Sequence, residues 1–105
     1  MSPDSRILED ITARIVACVR PLRIILFGSA AKDDMGPHSD LDLLVVMPNG
    51  THRRDASRRI YCAIARCGIA KDIIVVTEND IIRYREDPSL IIKPALDNGR
   101  ELYKI

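Results

Sequence analysis

Aromatic side chains are scarce in this chain: no tryptophan, one phenylalanine and three tyrosines, 4% of 105 residues. A core must therefore be assembled from Ile, Leu, Val and Ala, and the β-branched members of that set favour strands. An excess of one charge is missing too. Lys and Arg number 16 against 15 Asp and Glu, a net +1, so nothing electrostatic points to duplex DNA or a membrane surface as the main partner. The three cysteines, Cys18, Cys62 and Cys67, form no CxxC and no Cys/His spacing typical of zinc. They read as reduced thiols in a cytosol. Apolar runs such as Leu43 to Met47 stay far short of the ~20 residues a membrane helix needs. Asp4, Arg6, Glu9 and Asp10 interrupt anything like a secretory leader. The chain is expected to be soluble and cytoplasmic. What is present is apolar residue in quantity, 47%, enough for a real core in one small domain.

The periodicity then sets out the elements. Ile7, Leu8, Ile11, Ile15 and Val19 recur at helical spacing behind Ser2-Pro3 and ahead of Pro21. Leu22 to Phe27 is strand-like and closes at Gly28-Ser29; Ala30 to Met35 could form one or two helical turns. Leu41 to Met47 reads as a second strand with Asp42 lodged in it, and Pro48-Asn49-Gly50 as a turn. A long helix follows from Thr51, with Ala56, Ile60, Ala63, Ile64 and Cys67 on one face and Gly68 as its stop. Lys71 to Val76 is a third strand carrying Asp72. Thr77 to Asp80 has the form of a capping box, opening a helix that should end by Asp87-Pro88. Ser89 to Leu96 looks helical, but Pro94 should kink or break it. Leu102 to Ile105 reads as a final extended piece. Strands alternating with helices imply an α/β layered domain, helices packed on a small sheet.

Three acids interrupt otherwise apolar strand-like runs, and burying an uncompensated carboxylate costs several kcal/mol. Such residues are usually paired, placed at a strand end, or bound to metal. Asp40 and Asp42 are one residue apart, so on a strand both carboxylates face one side, about 7 Å apart, while Leu41 and Leu43 turn to the core. Asp72 could complete the cluster if its strand lies alongside. Carboxylates suit Mg²⁺, and two such ions roughly 3.5–4 Å apart can support an in-line displacement at phosphorus. Twelve residues before Asp40 stands Gly28-Ser29, where backbone N–H groups and the Ser29 hydroxyl could hold phosphate. Taken singly, each feature has an ordinary explanation: a tight turn for Gly-Ser, a cap for Asp40, a strand-end pairing with Lys71 for Asp72. Together, Gly-Ser, ten residues and Asp-x-Asp should arise by chance in roughly one chain in a thousand of this length.

Gly28-Ser29, ten residues, Asp40-Leu41-Asp42 and then Asp72 resemble the DNA polymerase β-like nucleotidyltransferase superfamily, and within it the minimal nucleotidyltransferases. The closing stretch Leu96-Asp97-Asn98-Gly99-Arg100-Glu101-Leu102-Tyr103 is also similar to the family's usual ending. The resemblance implies an α/β nucleotidyltransferase fold, a small mixed β-sheet flanked by helices, over residues 1–105. It implies two Mg²⁺ ions held by Asp40 and Asp42, with Asp72 as the third acid of the catalytic set, coordinating a metal or accepting the proton of the attacking hydroxyl. A nucleoside triphosphate, ATP, would be bound by Gly28, Ser29 and Lys32, and AMP would be transferred with release of pyrophosphate. Many minimal members resemble antitoxins that modify a HEPN-type toxin, so the implied acceptor is a hydroxyl of such a partner protein. Where the family often shows Ala-Arg-Gly after Gly-Ser-x, this chain has Ala31-Lys32-Asp33, followed by Asp34. That departure favours the alternative, a binding module of weak or no activity that neutralises its partner by contact. The remaining polar features read plainly: Arg53, Arg54, Arg58, Arg59 and Arg66 as a solvated helix face, His38 and His52 as loop residues without a role, Tyr84 and Tyr103 as packing.

Overall fold

The computed structural model describes residues 5–28, 41–67, 71–87 and 89–105. Helix α1 (Ser5–Val19) leads into strand β1 (Arg23–Phe27). Strand β2 (Leu41–Met47), helix α2 (Arg53–Ala63) and strand β3 (Lys71–Thr77) follow. Helices α3 (Glu78–Tyr84) and α4 (Ile92–Asn98) precede strand β4 (Arg100–Lys104). The four strands form one mixed sheet in the order β3-β2-β1-β4. β1 runs antiparallel to both β2 and β4, whereas β2 and β3 are parallel. A parallel pair cannot be joined by a hairpin, and α2 supplies the crossover.

Side-chain alternation divides the core into two layers. Leu41, Leu43, Val45 and Met47 face α1 and α2, where they meet Leu8, Ile11, Ile15, Ile60, Ile64 and Ile73. Leu44 and Val46 face the other way with Ile25, Phe27 and Val76, under Ile92 and Ala95 of α4. Because both faces are covered, β2 is apolar at nearly every position rather than at every second one. Each fully buried Ile or Leu contributes about 1.5–3 kcal/mol relative to exposure. No helix among the described residues is long and apolar enough to cross a membrane.

Three elements differ from their sequence expectation. Pro94 neither kinks nor breaks a helix. It is the third residue of α4, whose first intrahelical bond runs from Ala95 N–H to the Ile91 carbonyl (3.1 Å); the opening N–H groups of a helix have no carbonyl to reach, so proline forfeits nothing there. Helix α2 ends at Ala63, because Ile64 leaves helical geometry (φ −110°, ψ 12°). Ile64 and Cys67 keep the apolar face through a turn, Cys67 N–H to Ile64 O at 3.1 Å; the expected stop, Gly68, lies outside the described residues, as does the helical stretch expected at Ala30 to Met35. The terminal extended piece is a full strand, β4, bonded along β1 with a one-residue irregularity between Ile24 and Ile25.

The capping box is present. Thr77 Oγ1 accepts from Asp80 N–H (3.3 Å) and the Asp80 carboxylate accepts from Thr77 N–H (2.9 Å). Arg53 at the start of α2 donates to the same carboxylate (3.0 Å). Burial pushes the Asp80 carboxyl up, but the hydrogen bonds from Thr77 and the nearby Arg53 guanidinium outweigh it, leaving the group below its ordinary value. A carboxyl depressed in the folded state stabilises above its unfolded pKa and loses that contribution as pH falls through the folded value. In acid titration followed by circular dichroism, Asp80→Asn should therefore flatten the stability loss below about pH 4. Thr77→Ala should cost about 1 kcal/mol, read as a melting temperature lower by about 4–8 °C.

Candidate functional site

Strand pairing brings two of the three strand acids together. On the parallel pair, Asp42 of β2 stands directly opposite Asp72 of β3. In-register residues of neighbouring strands point to the same face, with backbones about 4.8 Å apart. That face is the one bearing Leu44, Val46, Ile74 and Val76. Leu41 and Leu43, on the opposite face, are fully buried against α1 and α2, as alternation required. Lys71 and Ile73 alternate to that face too, which directs Lys71 away from Asp72. Asp42 is half-buried and Asp72 exposed, and both stand at the start of their strands.

Gly28 completes this end of the sheet. Phe27 pairs with Asp42 across the antiparallel β1–β2 ladder, and Gly28 follows it with φ +73°. A Cβ at Gly28 would collide with the Asp42 carboxylate oxygen and lie 3.3 Å from its Cγ. The position requires glycine twice, for its left-handed backbone and for the close approach. Gly28 of the turn and Asp42 of the Asp-x-Asp motif, fourteen residues apart in the sequence, thus pack directly against each other.

Asp40, Ser29 and Lys32 lie outside the described residues, together with Asp33, Asp34 and His38; Asp40 immediately precedes β2. No group of three metal-binding side chains occurs among the described residues. The donors that are described suit a hard cation: two carboxylates in register, with no thiol or imidazole among them.

Two side chains have duties the sequence did not disclose. His52 is not idle: it is the N-cap of α2, its Nδ1 accepting from Asp55 N–H (3.1 Å). Tyr61, in the last turn of α2, accepts the Ile73 N–H through its hydroxyl (2.9 Å). Histidine is not among the residues that usually mark an N-cap, and the second bond spans the crossover. The arginine-rich face of α2 is partly neutralised from within, Arg58 and Arg59 bonding Asp55 at 3.1 and 3.3 Å. The thiol of Cys67 is pushed up by burial and by its bond to Asp10, on the α1–α2 side, away from the acids.

The family described as polymerase beta, nucleotidyltransferase matches residues 9–105. No curated protein sequence matches the chain. A chain from a toxin-antitoxin crystal structure with AMP-PNP superposes with a TM-score of 0.61 at 16% identity, covering 93% of this chain and 73% of that one. A candidate nucleotidyltransferase from Sulfolobus solfataricus superposes at 0.57 and 21%, covering 95% and 82%. Both likenesses, at 16% and 21% identity, are of fold alone. With the match running over nearly the whole sequence, and with Gly28 set against Asp42, the chain belongs to the polymerase beta nucleotidyltransferase family.

Proposed function

We propose that the chain transfers AMP from ATP to a hydroxyl of a partner protein, and that the partner is a HEPN-type toxin neutralised by the modification. The observation that carries this reading is the in-register pair Asp42 and Asp72 beside the Gly28 turn. Its likeness to a toxin-antitoxin structure with AMP-PNP supports an adenine nucleotide and a toxin as partner, while the HEPN type rests on the resemblance of the sequence. Asp40, Asp42 and Asp72 would hold two Mg²⁺ ions, which when bound neutralise phosphate charge and polarise the α-phosphorus. Gly28 and Ser29 would bind the triphosphate through backbone N–H groups and the serine hydroxyl, with Lys32 as the nearby cation. Asp72, the more exposed acid, would also accept the proton of the incoming hydroxyl. The acceptor oxygen then bonds to the α-phosphorus as the bond to pyrophosphate breaks, and pyrophosphate leaves with the displaced charge.

The test is direct. Purified protein, Mg²⁺ and a HEPN-domain toxin from an adjacent reading frame are incubated with ATP labelled at either the α- or the γ-phosphate. Label should enter the toxin from the α position alone, with a mass gain of one AMP. No transfer, combined with an Asp40/Asp42 double variant that still neutralises the toxin, would replace this reading with that of a binding module acting by contact.

A further inference from the structure

We infer that Tyr61 is a positioning residue for Asp72, acting from the far side of the sheet; the inference rests on the reading of Asp72 as a cation ligand. β3 is an edge strand, and Asp72 is its second residue. Strand ends at a sheet edge are where local opening costs least. On its inner side this end is held by the ladder to β2. On its outer side the Ile73 N–H donates to Tyr61 Oη at 2.9 Å. That N–H belongs to the peptide unit which begins at the Asp72 carbonyl carbon. With the rest of the strand held by the β2 ladder, fixing the plane of this unit restricts ψ of Asp72, and with it the direction in which the carboxylate leaves the backbone. The phenol itself is anchored by its helix, since neighbouring Ile60 and Ile64 are fully buried beneath the sheet. Tyr61 is 40% exposed, so the ring is not there chiefly to fill the core. Its hydroxyl supplies the acceptor that an edge amide otherwise lacks within the sheet.

The experiment compares Tyr61→Phe, which removes only the hydroxyl, with Ile60→Val, which loosens the same helical turn without touching the bond. Mn²⁺ serves as the probe, its affinity read by electron paramagnetic resonance, alongside amide hydrogen exchange at Ile73. Tyr61→Phe should speed Ile73 exchange and weaken Mn²⁺ binding by about 3- to 10-fold, the worth of one such hydrogen bond. Ile60→Val should lower the melting temperature and keep wild-type affinity. Unchanged Mn²⁺ affinity in Tyr61→Phe, or the same loss in both variants, overturns the inference while the site reading stands. A wild-type protein that binds no Mn²⁺, and so does not differ from Asp42→Asn, removes the site reading itself and the inference with it.

Discussion

Asp42→Asn should lower nucleotidyl transfer by at least about 100-fold, a loss of about 2.7 kcal/mol of transition-state stabilisation, while the protein stays folded. The substitution keeps the shape of the side chain and removes the charge that faces Asp72 across the β2–β3 pair. Asp72→Asn should do comparable damage, and the double variant little more, because ligands of one cation set act as a unit. Stability separates the two roles of these acids. Like charges directly opposite on neighbouring strands repel by a few tenths of a kcal/mol, so Asp72→Asn in metal-free buffer should melt at or slightly above the wild-type temperature. Adding Mg²⁺ at about 100 times its dissociation constant should stabilise the wild type by about 2.7 kcal/mol and leave the variant where it was. Wild-type transfer by Asp42→Asn, or equal Mg²⁺ stabilisation of both proteins, would falsify the assignment of the pair as cation ligands.

The second large effect is expected at Gly28. Gly28→Ala must adopt φ +73° with a side chain, at a cost of about 1–2 kcal/mol, and its methyl lands on the Asp42 carboxylate. Gly50 is the built-in comparison: its φ is +89°, yet a Cβ there meets nothing within 4 Å. Both alanine variants should lose similar backbone stability. Only Gly28→Ala should also displace the acid, and displacement of a reacting group by about 1 Å can cost 100-fold in rate. Thermal melts and transfer assays on the two variants decide the matter. Equal activity in both would mean that Gly28 serves the turn and not the acid beside it.

How legible these features were depends on how local their causes are. β2 could be read to its ends because a run from Leu41 to Met47 broken only by Asp42 has few other uses, and the Thr77–Asp80 box is a four-residue pattern that forms where it is written. β4 was harder, since Arg-Glu-Leu-Tyr-Lys at a sheet edge is half exposed and has no apolar alternation to betray it. Pro94 was misread because its effect depends on where the helix starts, not on the residue. The meeting of Asp42 with Asp72 required a strand order that no window of sequence contains; the acids suggested it, and the parallel pairing supplies it. Tyr61 and Ile73 are the extreme case, twelve residues apart and joined only once α2 has crossed the sheet. Asp40, Ser29 and Lys32 lie outside the described residues, and their roles rest on the sequence.

The side-chain ties between Arg53 and Asp80, Asn49 and the Asn79 amide, and Thr51 and the Pro48 carbonyl all gather where β2 and β3 finish, whereas the paired acids stand where those strands begin. Five residues of extended chain, about 16 Å, separate fastening from chemistry. Substitutions at the two ends fall beyond the range over which such effects couple. The fastening can therefore be tightened, by a better cap or a stronger ion pair, to raise the melting point of a variant whose acids have been altered, without restoring or further eroding what those acids do.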